Sequence, residues 1–170
     1  ILVRHPVVTG AAMAFRRGLM SLLTPFPSND VHDQWISFLL AACGPYRLIS
    51  ESLMQYRLHE HQQVGVGVQT FLDRLTQARA TGKPLYLSEI NRFRQLYRHI
   101  EQNKEAVPYA QVAMVEIQQK ISHLEHRIQM RQFHVGRIRK IVHEVRNHGY
   151  WRYAGGWRSV AKDILMYGGI

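Results

Sequence analysis

The chain has a single cysteine, Cys43, in 170 residues. No internal disulfide can form from it, so burial and hydrogen bonding must hold the fold together. Its place in the apolar run 36–43 marks a buried thiol and not a nucleophile. Cysteine use of this kind fits a reducing compartment. No stretch of about 18 consecutive apolar residues occurs, so no segment reads as a bilayer-spanning helix. The opening ILVRHPVVTG has neither an initiator methionine nor a charged region followed by a long apolar core. It does not read as a signal peptide, and the expectation is the middle of a longer chain. Phosphate-binding glycine motifs are also missing: there is no G-x-G-x-x-G and no P-loop, and GVGV at 65–68 lacks a helix-start context. Acids are scarce as well. Twelve Asp and Glu stand against 22 Lys and Arg, giving a formal net charge of +10 and a pI near 10.2. That balance selects for anionic partners: acidic headgroups, phosphorylated substrates or nucleic acid.

What is present suffices for a core. Hydrophobic residues make up 46% of the chain, which suits one domain or one compact unit with an appendage. Residues 7–15, VVTGAAMAF, start β-branched and read as a buried strand with Gly10 at a point of close approach. A short helix over 16–23 ends at Pro25 and Pro27, and SND at 28–30 offers caps for the next element. That element is a helix over about 32–43, closed by Gly44-Pro45. Residues 46–50 and 53–58 read as two strands. VGVGV at 64–68 marks a boundary.

Beyond the boundary the pattern is helical. A helix over 69–80 is stopped by TGKP at 81–84, and Ser88 caps a helix whose stripe is Ile90, Phe93, Tyr97 and Ile100. Pro108 suits the first turn of the next helix. Met114, Ile117, Ile121, Leu124 and Ile128 then recur every three or four residues, and the register resumes at Val135, Ile138, Val142 and Val145. A helix of about 40 residues would be about 60 Å long. It is either a coiled-coil-like arm or two helices broken near Gly136. The 114–145 seam serves either self-association into a homo-oligomer or packing against the Ile90 stripe. His123, His126 and His143 on this segment read as surface or interface residues. Segment 127–162 carries nine Lys and Arg, with Glu144 its only acid, interleaved with Tyr150, Trp151, Tyr153 and Trp157. Trp157, Val160, Ala161, Ile164 and Leu165 make an apolar face on a short closing helix. Cations beside Trp and Tyr suit an anionic membrane surface; a solvated basic face with Trp packed inward is the alternative.

For chemistry, Asp33 opens the 32–43 helix, where the dipole keeps a carboxylate ionised and aimed outward, as a general base requires. A helix cap is the plainer reading, though Asn29 and Asp30 serve that end equally well. Arg57 suits bidentate binding of diphosphate oxygens. His59 suits a divalent metal or a phosphate, with His61 on the same face if the segment is a strand. Trp35 suits either an acceptor-sugar platform or the core.

Three motifs in order, TGAAMAFRR at 9–17, HDQW at 32–35 and YRLHEHQQVG at 56–65, resemble the C-terminal half of a family 2 glycosyltransferase domain of GT-A type. The similarity is to bacterial rhamnosyltransferase-like enzymes of surface-polysaccharide synthesis and spans about residues 1–66; the closing WRYAGGWRSVAKDIL looks like the tail of such enzymes. It implies an α/β fragment over 1–66, the acceptor half of the catalytic domain. A mainly helical extension over 67–170 with a long helix follows. It implies inverting sugar transfer from a nucleotide sugar to a glycan or lipid-linked acceptor. Asp33 would be the base, Arg57 and His59 would stand at the diphosphate, His59 at Mg²⁺ or Mn²⁺, and Gly10 and Trp35 on the acceptor side. The expected location is cytoplasmic, peripheral at the inner face of the plasma membrane. One departure stands out. The family's nucleotide-binding half carries an acidic DxD metal motif, and no DxD occurs here. The competing reading is a non-catalytic basic helical module that binds an acidic partner or nucleic acid. Nucleic acid is the less favoured of these, since no recognised binding motif is present.

Overall fold

The computed structural model describes residues 2–4, 8–27, 31–55, 83–132 and 136–165, with only the backbone described at 131, 132 and 165. Among them, helices α1 (Met20–Leu23), α2 (His32–Cys43), α3 (Lys83–Gln102), α4 (Ala110–Gln132), α5 (Arg137–Arg146), α6 (Gly149–Tyr153) and α7 (Trp157–Leu165) follow in order. Short 3-10 turns at Gly10–Ala12 and Arg17–Leu19 precede α1.

Helix α2 forms where its pattern says it should. Trp35, Ile36, Leu39 and Ala42 share one buried face, and the Gly44 N–H closes the last turn on the Leu40 carbonyl at 3.1 Å. Its partner α1 is a single turn with orphan carbonyls at its end. Two ring donors satisfy them: Trp35 Nε1 donates to the Leu23 carbonyl at 3.0 Å, and His99 Nε2 lies 2.7 Å from the Leu22 carbonyl. The two rings meet edge to face at 4.9 Å.

Helices α3 and α4 pack along each other and are joined by a seven-residue turn, 103–109. Within that turn Val107 is buried, and the Tyr109 N–H reaches the Ala42 carbonyl at 3.0 Å, tying the turn to the end of α2. The α3 stripe of Tyr86, Ile90, Phe93, Leu96 and Ile100 meets Ile117, Leu124 and Ile128 of α4 together with Leu39 and Ile36 of α2 in one core. The apolar seam of α4 is therefore filled from within the same chain, by the Ile90 stripe. A second, smaller core gathers Met130, Ile141, Tyr150, Ala154 and Val160 where α5, α6 and α7 fold against the far half of α4.

The expected α/β class is corrected: the described residues are mainly helical and contain no strand. Residues 10–12 form a 3-10 turn and 13–16 are irregular. Residues 46–55 have no regular structure, and Leu48, Ile49, Leu53 and Met54 are exposed. Their β-propensity has no partner strand among the described residues, and a strand without a ladder leaves its backbone groups to water. Positions 56–58, the 64–68 boundary and the 69–80 helix lie outside the described residues. The Ser88 cap is also corrected, because α3 begins five residues earlier at Lys83. Pro84 sits in the first turn of this helix, where proline loses no hydrogen bond; the helix it was expected to stop lies outside the described residues. The long-helix alternatives resolve to a break. Gly136 adopts φ 81°, a left-handed value that suits glycine, and separates α4 from α5.

Phe93 sits where the three helices of the larger core meet, edge-on to Phe38 at 5.8 Å. Phe93→Ala is expected to lower stability by about 3–5 kcal/mol. A fall in the urea midpoint with an unchanged m-value checks it.

Candidate functional site

The four side chains of HDQW diverge from one turn of α2. His32 is exposed, Asp33 is half-buried, Gln34 accepts a hydrogen bond from the Arg92 guanidinium, and Trp35 is buried. Asp33 Oδ2 accepts from the Gly10 N–H at 3.4 Å, across 23 residues of sequence. A Cβ on Gly10 would stand 3.3 Å from the Asp33 Cβ and 3.5 Å from His32 Nε2, so the TGAAM segment lies close over the opening turn of α2. Gly10 and Asp33 are thus brought together. Trp35 is a core residue, held by its bond to Leu23. Arg57 and His59, with Tyr56 and His61, lie outside the described residues. Among the described residues no cluster of three His, Cys, Asp or Glu side chains forms a cation site. Burial raises the pKa of the Cys43 thiol, in keeping with an inert packing residue.

A second polar assembly was not visible to sequence reasoning. Lys120, His123 and Arg127 stand at i, i+3 and i+7 on one face of α4, and all three are buried. Lys120 Nζ lies 3.0 Å from Glu89 of α3 and donates to the Tyr153 carbonyl of α6 at 2.8 Å. Arg127 clasps Asp163 of α7 through Nε at 2.7 Å and a second guanidinium nitrogen at 2.9 Å. The Tyr150 hydroxyl donates to the same carboxylate at 3.0 Å. Burial and the adjacent Asp163 charge push the Tyr150 hydroxyl well above its usual pKa, so it remains a donor.

Glu144 of α5 is shared by two imidazoles. His123 Nδ1 is 2.5 Å from one carboxylate oxygen, and His126 Nδ1 is 2.6 Å from the other. The approach depends on Gly149, where a Cβ would fall 2.0 Å from Glu144 Oε2. Burial opposes the Glu144 charge, but the hydrogen bonds from the two imidazoles outweigh it and hold the carboxyl at about 2. Burial also holds His123 below its usual range, against the pull of Glu144. The geometry agrees: His123 Nε2 is sealed in the interior with no partner, so a proton there would be stranded. His123 therefore stays neutral, with Nδ1–H toward Glu144, and its other nitrogen meets neither solvent nor substrate. The assembly binds α4 to α3, α5, α6 and α7. This corrects His123 from surface to core, whereas His143 is exposed as expected and pairs with Asn147 at 2.9 Å. Tyr150 and Tyr153, taken from the sequence as interfacial aromatics, are buried too. One signal was available: Glu144 and Asp163 are the only acids in 127–170, and isolated acids in a basic segment tend to be paired.

No protein-family model, no curated protein and no solved structure matches this chain.

Asp163→Ala strands Arg127 and removes the acceptor of Tyr150. A loss of about 3–5 kcal/mol is expected, measured by chemical denaturation. A pH effect follows from His123. In the unfolded chain it takes a proton below its ordinary value of 6.5, while in the fold it stays neutral to lower pH. Its contribution is full above 6.5 and is lost as the pH falls below that toward the folded value. Glu144 remains ionised across this window, its own contribution being lost only as the pH falls through about 2. Tm should thus decline between pH about 7 and about 5, and His123→Asn, which keeps a donor and cannot titrate, should make the decline shallower.

Proposed function

We propose that the chain carries the acceptor side of an inverting glycosyltransferase of the rhamnosyltransferase-like kind. It would move a sugar from a nucleotide sugar to a glycan or lipid-linked acceptor in surface-polysaccharide synthesis. The observation that supports this reading is the approach of Gly10 to Asp33. It joins two of the three motifs in space and leaves a half-buried carboxylate at the opening of α2. The reading rests on those motifs and not on an α/β architecture.

Asp33 acts as the base. Its carboxylate takes the proton of the acceptor hydroxyl as that oxygen attacks the anomeric carbon, and the bond to the nucleoside diphosphate breaks on the opposite face. The Gly10 N–H orients the carboxylate through one oxygen and leaves the other for the acceptor. In this reading Arg57 and His59, which lie outside the described residues, would meet the departing diphosphate, where positive charge stabilises the leaving group. In the same reading His59 would help hold Mg²⁺ or Mn²⁺, which would further neutralise the diphosphate; among the described residues no cluster of three ligating side chains forms such a site. The enzyme works in the cytoplasm, at the inner face of the plasma membrane. Among the described residues no helix is long and apolar enough to cross a bilayer.

The test is Asp33→Asn in the full-length protein, assayed by release of nucleoside diphosphate from a panel of nucleotide sugars with a lipid-linked glycan extract as acceptor. Turnover should fall by about a hundredfold or more, with circular dichroism and Tm close to the parent. Unchanged turnover removes Asp33 from the mechanism.

A further inference from the structure

Glu144 and Asp163 are the only acids in 137–165, and both point inward, Glu144 to His123 and His126 and Asp163 to Arg127 and Tyr150. The outward surface of α5 and α7 is consequently left with cations and apolar groups. On α5 the exposed positions are 138, 139, 142, 143 and 146, one helical face bearing Ile138, Arg139, Val142, His143 and Arg146. On α7 they are Trp157, Arg158, Ala161 and Ile164, again one face. The two faces adjoin. The Arg137 guanidinium donates to the carbonyls of Asp163 and Ile164, the latter at 3.1 Å, which sets the start of α5 against the end of α7.

The apolar groups are not loosely placed. Ile138 is 78% exposed and Trp157 66% exposed. The Trp157 ring rests edge-on against Trp151 at 5.1 Å, and Trp151 in turn lies against Gly156, where a Cβ would stand 3.3 Å from the ring. Gly156 is at φ 59°, a second reason for glycine there. The indole is thus braced so that it projects outward.

We infer that this joined face of α5 and α7 is a docking surface for an anionic lipid bilayer. Ile138, Val142, Trp157 and Ile164 would enter the headgroup–acyl boundary, and Arg139, Arg146 and Arg158 would meet the lipid phosphates. Charge complementarity requires an anionic partner. The exposed aliphatics select lipid over nucleic acid, because isoleucine and valine gain nothing from phosphate or a base edge and gain burial from acyl chains. The inference stands on this surface alone and does not depend on sugar transfer.

The test is co-sedimentation of the full chain with vesicles of equimolar phosphatidylglycerol and phosphatidylcholine, beside phosphatidylcholine alone and beside single-stranded RNA and duplex DNA in gel shifts. Binding to the anionic vesicles is expected, with a blue shift of tryptophan emission that Trp157→Phe removes. Each of Arg139→Gln, Arg146→Gln and Arg158→Gln should weaken binding about fivefold. The double variant Ile138→Ser, Trp157→Ser, altered only at exposed positions, should lose vesicle binding while keeping the parental Tm. Equal binding to phosphatidylcholine alone, no binding to the anionic vesicles, or vesicle binding undiminished in the double variant would each overturn the proposal. So would nucleic-acid binding tighter than vesicle binding.

Discussion

The polar stripe of α4 has to be satisfied inside the protein, and much of the C-terminal half follows from how that is done. Three buried residues each meet a different part of the chain: Lys120 meets α3 and α6, His123 meets α5, and Arg127 meets α7. Buried ion pairs contribute little net stability over well-packed apolar groups, but a stranded partner is costly. Their consequence here is selectivity. An apolar repeat such as the one on α4 packs acceptably against many surfaces. A lysine, an imidazole and a guanidinium at i, i+3 and i+7 accept one arrangement of carboxylates. That arrangement sets the register of four short or medium helices against one long one, and Gly149 is the concession in backbone chemistry that admits Glu144.

The same helix therefore does two different jobs along its length. Its apolar side, through Ile117, Leu124 and Ile128, completes the core shared with α2 and α3. Its polar stripe, from Lys120 to Arg127, organises α5 to α7 around the smaller core. The two faces overlap in sequence, so the helix lacks the clean division of apolar and polar sides that marks an ordinary surface helix.

That overlap explains which parts were legible in the sequence. The 32–43 helix with its Gly44 stop and the closing helix near 157–165 were legible from local pattern, whereas at Gly136 the sequence left a continuous arm and a break both open, and only the left-handed backbone there decides. The strands expected over 7–15 and 46–58 rested on β-propensity, which expresses packing against neighbours and has little force without them. Pro84 opens a helix that the sequence reading started only at Ser88, because proline both stops and starts helices and only the surrounding hydrogen bonds separate the two. For the candidate site, the sequence marked Gly10 as a point of close approach without naming what approaches it, and the neighbour is Asp33; Arg57 and His59 fall outside the described residues. The buried roles of Lys120, His123 and Arg127 could not be read from periodicity, since periodicity tracks apolar residues and these three look like solvent-facing groups.

The neutralised interior also decides the character of the exterior. With 12 acids against 22 basic side chains, the sequence starts with a surplus of positive charge. Pairing Glu144 and Asp163 internally removes the only acids of 137–165 from the surface, while Arg139, Arg146 and Arg158 remain outside. A solvated basic face would need nothing more than those arginines. It would not need Ile138 and Trp157 standing largely exposed, nor a glycine at positive φ pressed against the ring that braces Trp157. Exposed apolar area carries a free-energy cost in water that scales with its extent, and a fold able to bury Tyr150, Tyr153 and Val160 in the same few turns had the means to bury more. The arrangement is one of apolar groups held out beside cations, which is the character the proposed bilayer-docking face requires.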